Sequence, residues 1–252
     1  MRRYLIILMM PCFVMLFGIC CLAGCEGSRH HLKKVRLNEV AHSIFYAPQY
    51  VAIEKGYFEK EGIKLELTTG FGADKTATAV ISGDADIAFM GPEATIYQFN
   101  QGNADYLINF AQLTQRAGNF VVSREREDSF KWEDLKGKKV IGGRPGGMPE
   151  MVFEYVLKKH GMNPQKDINL VQNIDFANTS GAFVSGEADY TVEFEPAATL
   201  IEEQGAGYVV ASVGKESGYV PYTAYSVKKS YLETHKELLE AFTRAIEKGQ
   251  EY

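Results

Sequence analysis

Cysteine is almost absent from this sequence. All four cysteines of the 252 residues lie at positions 12, 20, 21 and 25. The rest of the chain therefore offers no disulfide and no cysteine nucleophile. The five histidines include the adjacent His30 and His31, which we interpret as part of a solvated linker, and none has the spacing of a metal site. We accordingly expect no metal, no cofactor and no catalytic residue.

Runs of basic residues are missing as well. The chain carries 27 Lys and Arg against 32 Asp and Glu, a formal net charge of −5, and no basic stripe follows the N-terminal region. A nucleic-acid partner is therefore not expected. The most glycine-rich run, Gly142–Gly147, matches neither the P-loop motif nor the dinucleotide-binding fingerprint.

Long hydrophobic runs are confined to the N-terminus. After the positively charged Met1–Arg3, the apolar segment Tyr4–Ile19 contains a proline and is too short for a convincing membrane span. Leu22–Cys25 follows and resembles the lipobox of bacterial lipoproteins. This resemblance implies a signal peptide over residues 1–24, a lipidated Cys25 that anchors the protein outside the cytoplasm on the bacterial cell membrane, and a polar tether over 25–33. The alternative is an ordinary signal peptide with an unrelated cysteine.

A repeated segment dominates what the sequence does contain. Ala79–Asp86 reappears as Ala182–Asp189, and in both copies an apolar helix end is followed by glycine and an Ala-Asp step. Each copy continues into a short strand, a loop with proline and a further helix. A repeat of this length predicts two similar α/β halves with a cleft between them. The alternative is a common helix-to-strand turn, which explains the glycine and aspartate but not the agreement beyond them.

Strand and helix patterns alternate in both halves of the chain. This alternation predicts an α/β fold of two mostly parallel sheets flanked by helices. We assign lobe I to residues 34–118 and 222–252, and lobe II to residues 119–221. The C-terminal residues Lys229–Tyr252 keep an apolar face at helical spacing and are predicted to form one helix.

The glycine-rich loop 142–147 is the strongest local candidate for a site. It leads into a predicted helix, whose free N–H groups and positive dipole end can hold an anion or the polar edge of a ring. Arg144 can add a charge-assisted hydrogen bond. Alternatively, the loop only connects a strand to a helix.

Two loops of lobe I are expected on the other side of the cleft. Ligands of open α/β sheets bind beyond the carboxyl ends of the strands, which places Phe45 and Tyr46 where they can stack on a planar group. In and just after the loop 70–75, Phe71 and Thr76 are further candidates. The alternatives are core packing for Phe45, and a plain loop with a helix cap for the second segment.

The ends of the two repeated strands should face each other across the cleft. They carry Met90–Glu93 and Glu193–Pro196, and Glu193 or Glu195 can accept a hydrogen bond from an amino group or a ring N–H. Two carboxylates can also serve acid–base catalysis, but no nucleophile or metal cluster accompanies them. Weaker candidates for the cleft are Gln112, Thr114, Asn119, Tyr219 and Tyr222.

Five segments stand in the order of a known family: Ala47–Phe58, Glu61–Ile63, Ser82–Ile87, Asp134–Val140 and Phe194–Pro196. With them the chain resembles the solute-binding lipoproteins of bacterial ABC importers. Among these it is similar to the group of sulfonate-, nitrate-, taurine- and thiamine-pyrimidine-binding proteins. The resemblance implies a two-lobe, hinge-closing fold of the type II periplasmic-binding-protein class. The positions that it implies for the ligand are Ser43–Tyr46, Gly72–Thr76, Gly91 and Gly146–Met148.

The function that the resemblance implies is capture of a small solute for import. The partners would be an ABC permease with its ATPase, and the protein would be a monomer and not an enzyme. Its aromatic loop residues favour an aromatic or heterocyclic solute such as a thiamine pyrimidine precursor. The alternatives are an oxyanion such as a sulfonate, nitrate or taurine, and an enzyme resembling the pyrimidine-precursor synthases, although the cysteine-rich iron motif of those enzymes is missing.

The candidate loops and the family resemblance together predict which residues contact the ligand. Members of the family usually continue for further helices beyond the position of Tyr252, so we expect the sequence to be truncated within lobe I. The predicted ligand-binding residues are Ser43, Phe45, Tyr46, Phe71, Gly72, Thr76, Gly91, Arg144, Gly146, Gly147, Met148 and Glu193.

Overall fold

A computed structural model describes residues 32–252 of the chain. The predicted signal peptide, Cys25 and most of the predicted tether lie outside the described residues. Within residues 32–252, no helix is both long enough and apolar enough to cross a membrane.

The described chain forms two five-stranded sheets. The first has the strand order β2-β1-β3-β10-β4 and the second the order β7-β6-β8-β5-β9. The predicted α/β class with two sheets is thereby confirmed. The strands are β1 (Lys33–Glu39), β2 (Ile63–Thr69), β3 (Ile87–Met90), β4 (Leu107–Thr114), β5 (Asn119–Ser123), β6 (Lys139–Ile141), β7 (Asn169–Val171), β8 (Tyr190–Phe194), β9 (Tyr208–Ser212) and β10 (Thr223–Lys228).

Helices connect the strands and cover the sheets. They are α1 (Ala47–Glu54), α2 (Tyr57–Lys60), α3 (Ala73–Ser82), α4 (Glu93–Asn100), α5 (Met148–Lys159), α6 (Thr179–Val184), α7 (Ala197–Glu203), α8 (Val213–Ser217), α9 (Lys229–Thr234) and α10 (Lys236–Glu251). Short 3-10 turns cover Ile44–Tyr46, Trp132–Leu135 and Phe176–Asn178.

The predicted single C-terminal helix was wrong, because the chain turns at His235. This residue has φ −128° and ψ 31°, which separates α9 from α10. Its ring stacks on the ring of Tyr231 with centroids 4.0 Å apart. The short helix α8 was not predicted, and its first turn is capped by the Ser212 side chain, which accepts a hydrogen bond from the Lys215 N–H.

The two sheets have equivalent architectures. In the first, β1 pairs parallel with β2 and β3, and β10 lies antiparallel between β3 and β4. In the second, β6 pairs parallel with β7 and β8, and β5 lies antiparallel between β8 and β9. We call the parts built on the first and second sheets lobe I and lobe II. The chain therefore crosses between the lobes after β4 and again after β9; the residue bounds assigned to the lobes above stay a prediction.

The sequence repeat performs the same structural task in each lobe. Its strands, β3 and β8, belong to different sheets. Gly83 and Gly186 end the preceding helices with φ 88° and 98°, a conformation that favours glycine. The carboxylate of Asp86 then accepts the backbone N–H of Arg36 at 2.8 Å, and that of Asp189 accepts the N–H of Lys139 at 2.8 Å. Each aspartate thus fixes the start of its strand to the neighbouring strand.

Each lobe has its own apolar core. In lobe I, the rings of Phe89 and Tyr225 stack with centroids 4.4 Å apart, and Phe242 from α10 packs edge-on against Tyr225. In lobe II, Trp132 lies near Phe153, a fully buried residue of α5. Close packing of this kind holds the strand ends, and the loops that follow them, in fixed positions.

Candidate functional site

A cavity of about 660 Å³ lies between the two lobes. The loops that follow β1, β2, β3, β6 and β7 contribute to its wall, together with the end of β8 and the start of β10. Ligands of open α/β sheets bind beyond the carboxyl ends of the strands, and this volume lies in the range of small-molecule sites. Within residues 32–252, no three His, Cys, Asp or Glu side chains are grouped closely enough to hold a metal ion.

An aromatic cluster forms part of this cavity and joins the lobes. Phe45 of lobe I lies at its centre, with ring centroids 5.5 Å from Phe194 of lobe II and 5.7 Å from Tyr222 on the return crossing. The ring of Phe45 packs so closely on the first crossing that a Cβ on Gly118 would overlap with it. The cluster therefore offers aromatic faces from both lobes to a planar ligand.

Polar contacts also connect the lobes around the cavity. The Glu93 carboxylate accepts the backbone N–H of Met148 with Oε1 and N 3.1 Å apart. Tyr97, one turn further along α4, donates its hydroxyl to the Gly146 carbonyl at 3.0 Å. At an exposed position, the Arg144 guanidinium lies 3.7 Å from the Asp74 carboxylate. Lobe I thus contacts the glycine-rich loop at two points and the first residue of α5 at a third.

The glycine-rich loop is held by protein carboxylates. Gly143 and Gly146 have φ 96° and 72°, so glycine suits both positions. Glu150, in the first turn of α5, accepts the Gly146 N–H at 3.2 Å and the Gln172 amide at 2.8 Å. Burial, and secondarily the neighbouring carboxylate of Glu154, raise the pKa of Glu150 to about 7. We predicted free N–H groups at the start of this helix, but the N–H groups of Gly146 and Met148 donate to Glu150 and Glu93.

Glu93 is the buried acid of this cavity. Only 4% of its surface is exposed, and desolvation raises its pKa to about 7 despite hydrogen bonds from its own amide and that of Met148. Its Oε2 atom has no hydrogen-bond partner in the described part of the chain. A Cβ on Gly91 would overlap with this carboxylate, which explains the glycine at the end of β3.

Comparison with known proteins identifies the family. A model described as NMT1/THI5 like matches residues 44–252. The protein named "Putative binding protein YtlA" of Bacillus subtilis (strain 168) is 50% identical over 241 residues, which cover 96% of this chain and 72% of the relative. This chain belongs to the NMT1/THI5-like family. The family predicted from the sequence is thereby confirmed.

Solved structures confirm the predicted fold of this NMT1/THI5-like protein. The periplasmic aliphatic sulphonate binding protein SsuA of Escherichia coli superimposes with a TM-score of 0.71 at 17% identity, over 86% of this chain and 72% of that protein. The periplasmic nitrate-binding protein NrtA of Synechocystis PCC 6803 gives a TM-score of 0.69 at 19% identity, over 88% of this chain and 62% of that protein. The fold is that of the two-lobe periplasmic binding proteins.

Ten of the twelve predicted ligand-binding residues of the NMT1/THI5-like chain come together on the cavity wall. They derive from the loops of both lobes that the sequence singled out. These residues are Ser43, Phe45, Tyr46, Phe71, Gly72, Gly91, Arg144, Gly146, Gly147 and Met148.

Two predicted residues lie away from the cavity wall. Glu193 points to the opposite face of β8 from Val192 and Phe194, because side chains alternate along a strand. It accepts hydrogen bonds from Thr191 and Thr179 at 2.7 and 3.1 Å within lobe II. Thr76 is completely buried in α3 beneath the loop at Gly70.

Sequence reasoning did not select Glu93 as a ligand-binding residue. A signal was nevertheless present in the repeat. The segment Pro92–Ile96 matches Pro196–Leu200 in its proline, alanine and threonine, but an alanine, Ala197, stands where lobe I has Glu93. Tyr222, a weaker sequence candidate, also lines the cavity.

Proposed function

We propose that this protein is the extracytoplasmic solute-binding component of an ABC importer. It binds a small, planar, aromatic or heterocyclic solute between its lobes and presents the closed form to a membrane permease. A ligand that contacts both lobes stabilises the closed form through its higher affinity for that form. The protein acts as a monomer and does not convert its ligand, and a lipid on Cys25 keeps it at the cell membrane.

The observation that carries this proposal is the aromatic cluster shared by both lobes. Phe45 and Phe194 belong to different lobes, yet they line one cavity and their rings lie 5.5 Å apart. A ring inserted beside them contacts both halves at once and excludes water from both. Burial of one such ring contributes about 2 kcal/mol. Family membership and the relatives described as binding proteins support the same function.

An oxyanion is the second candidate ligand. Two structural neighbours are described as sulphonate- and nitrate-binding proteins. Arg144 lies on the cavity wall and supplies a cation, although its guanidinium already lies 3.7 Å from the Asp74 carboxylate. The Asp74 carboxylate would then compete with a sulfonate or nitrate for the Arg144 guanidinium.

Mass spectrometry of the molecules released from purified, denatured protein tests the proposal. A small ring compound should be recovered at close to one equivalent, and when added back it should raise the melting temperature without being consumed. If nothing is released, and if aminopyrimidines, sulfonates and nitrate all leave the melting temperature unchanged, the proposal is wrong.

A variant of Phe45 tests the role of the aromatic cluster. Since a buried ring contributes about 2 kcal/mol and 1.4 kcal/mol is a factor of ten, Phe45→Ala should weaken binding of the released compound at least tenfold in calorimetry. Ile44→Ala is the matched control, because the Ile44 side chain is exposed and lies off the cavity wall. Equal affinity of the two variants would contradict a stacking role for Phe45.

A further inference from the structure

Two buried polar atoms on the cavity wall lack a protein partner. They are Oε2 of Glu93 and the hydroxyl oxygen of Tyr222, both without a hydrogen bond among residues 32–252. The two side chains are only 4% and 3% exposed. Polar groups buried to this extent are nearly always paired in folded proteins, so a bound ligand or a water must pair these two atoms. Side-chain atoms of Asn38, Thr76 and Asn119 are unpaired among the described residues as well, but those residues lie off the cavity wall.

The fold itself does not require an acid at position 93. In lobe II the corresponding position of the repeat is Ala197, and its helix α7 also follows a proline at the end of the repeated strand. A helix in this position therefore forms without the carboxylate. In lobe I, by contrast, Oε2 of Glu93 has no hydrogen-bond partner in the described part of the chain. The Glu93 carboxylate also requires a glycine at position 91, because a Cβ there would overlap with it. A purely structural role explains the bond to Met148 but not the second oxygen.

The cations on the cavity wall do not neutralise Glu93. Arg144 and Lys75 are both exposed, and Arg144 is engaged with Asp74. No ion pair within residues 32–252 includes Glu93. The buried part of the cavity is thus negative or neutral, and any positive charge lies in solvent.

We infer that Glu93 and Tyr222 form a recognition site that selects a ring ligand with N–H donors and rejects an oxyanion. This inference rests on the proposed function and decides between its two ligand classes. An amino, amidine or ring N–H group donates to Oε2 of Glu93, while the Tyr222 hydroxyl donates to, or accepts from, a neighbouring polar atom of the same ring. A sulfonate or nitrate at this place would be repelled by the ionised Glu93 carboxylate at the pH of the test below. Sites built to satisfy a buried polar group discriminate strongly against analogues that cannot do so.

The same carboxylate links ligand recognition to the contact between lobes. Oε1 of Glu93 accepts the N–H of Met148, the first residue of α5 in lobe II. A ligand donor on Oε2 fixes the orientation of the carboxylate and thereby the position of Oε1. Recognition of the correct ligand therefore also stabilises the contact between the lobes.

Two probes with the same ring and opposite charge test this inference. Benzamidinium presents N–H donors and benzenesulfonate presents an oxyanion, and calorimetry at pH 8 measures both dissociation constants. The full protein should bind benzamidinium at least tenfold more tightly than benzenesulfonate. Glu93→Gln keeps an oxygen for the Met148 N–H but removes the charge. It should therefore weaken the binding of benzamidinium at least tenfold and reduce the preference for benzamidinium over benzenesulfonate. Tyr222→Phe should also weaken the binding of benzamidinium, but to a smaller extent than Glu93→Gln does.

Controls separate a binding effect from a folding effect. Glu187→Gln removes one negative charge at an exposed position of lobe II and should leave both affinities unchanged. Melting curves show whether each variant is folded. If Glu93→Gln is not folded, the inference is tested by the Tyr222→Phe variant and by the preference of the wild-type protein for benzamidinium over benzenesulfonate.

Tighter binding of benzenesulfonate by the wild-type protein would overturn the inference and favour the oxyanion alternative. Equal affinities of wild type and Glu93→Gln for benzamidinium would overturn it as well. Binding of neither probe would also overturn it, while the proposed function would still be judged by the mass spectrometry described above.

Discussion

Replacing Glu93 by glutamine should make the stability of the protein less sensitive to pH. Burial raises the pKa of Glu93 from 4.5 to about 7, and each pKa unit corresponds to about 1.4 kcal/mol. Below pH 4.5 the carboxyl group is protonated in both the folded and the unfolded chain. Between pH 4.5 and 7 the unfolded chain releases the proton while the folded chain keeps it. Stability is therefore lost as pH rises, by about 3 kcal/mol in total above pH 7.

The Glu93→Gln variant does not lose this stability as pH rises, because glutamine does not titrate. Its free energy of unfolding, relative to the wild type, should increase by about 3 kcal/mol between pH 4.5 and pH 7.5, and then stay constant. Urea denaturation of both proteins at half-unit intervals of pH measures this difference directly. The subtraction cancels titration common to both proteins, including that of Glu150, whose pKa is also raised to about 7. Burial, and secondarily the Glu93 charge, raise the pKa values of Tyr46, Tyr97 and Tyr222, so these three groups stay protonated throughout this range.

The same Glu187→Gln control accounts for the loss of one negative charge from the whole protein. If the difference between wild type and Glu93→Gln is constant from pH 4.5 to 7.5, the carboxylate is solvated. The unpartnered oxygen described above would then be hydrogen-bonded to water, and the reasoning from its burial would fail.

Two further substitutions test the packing behind the site. Gly91→Ala places a methyl group against the Glu93 carboxylate and should lower the free energy of unfolding, measured by urea denaturation, by about 1–3 kcal/mol. Gly181→Ala is its control, because a Cβ at that position meets nothing within 4 Å. Equal effects of the two substitutions would contradict the predicted overlap. Asp189→Ala removes the acceptor for the Lys139 N–H and should lower the free energy of unfolding by about 1 kcal/mol. Hydrogen exchange of the Lys139 amide should accelerate. An unchanged exchange rate would show that this hydrogen bond is dispensable.

The sequence repeat predicts most of the architecture for an identifiable physical reason. Gly83 and Gly186 end helices, and Asp86 and Asp189 bind the neighbouring strand in the same way. All of these are local interactions, so their residue pattern is visible in the sequence. The break at His235 was missed because nothing in the local pattern distinguishes it: residues on both sides favour helix, and the turn is accompanied by packing against Tyr231.

The individual contacts of the site are less predictable than its loops. The position of Glu193 after the repeated strand predicts a place in the cleft, but the face on which its side chain lies depends on the register of β8 in its sheet. Glu93 was not chosen, since an acid in the first turn of a helix is ordinary in sequence terms. In the folded chain it is buried, and its carboxylate accepts the Met148 N–H of lobe II. Neither property can be derived from neighbouring residues alone.

The two ligand classes suggested by the sequence rest on different residues, and the structure treats those residues differently. The oxyanion hypothesis depends on free N–H groups at the start of α5, yet the Met148 and Gly146 amides already donate to Glu93 and Glu150. An anion that bound at these two amides would have to displace a carboxylate from each of them. The ring hypothesis depends on Phe45 and Phe194, whose rings need no such displacement because they already line the cavity. At these two amides the protein's own carboxylates therefore already occupy the acceptor position.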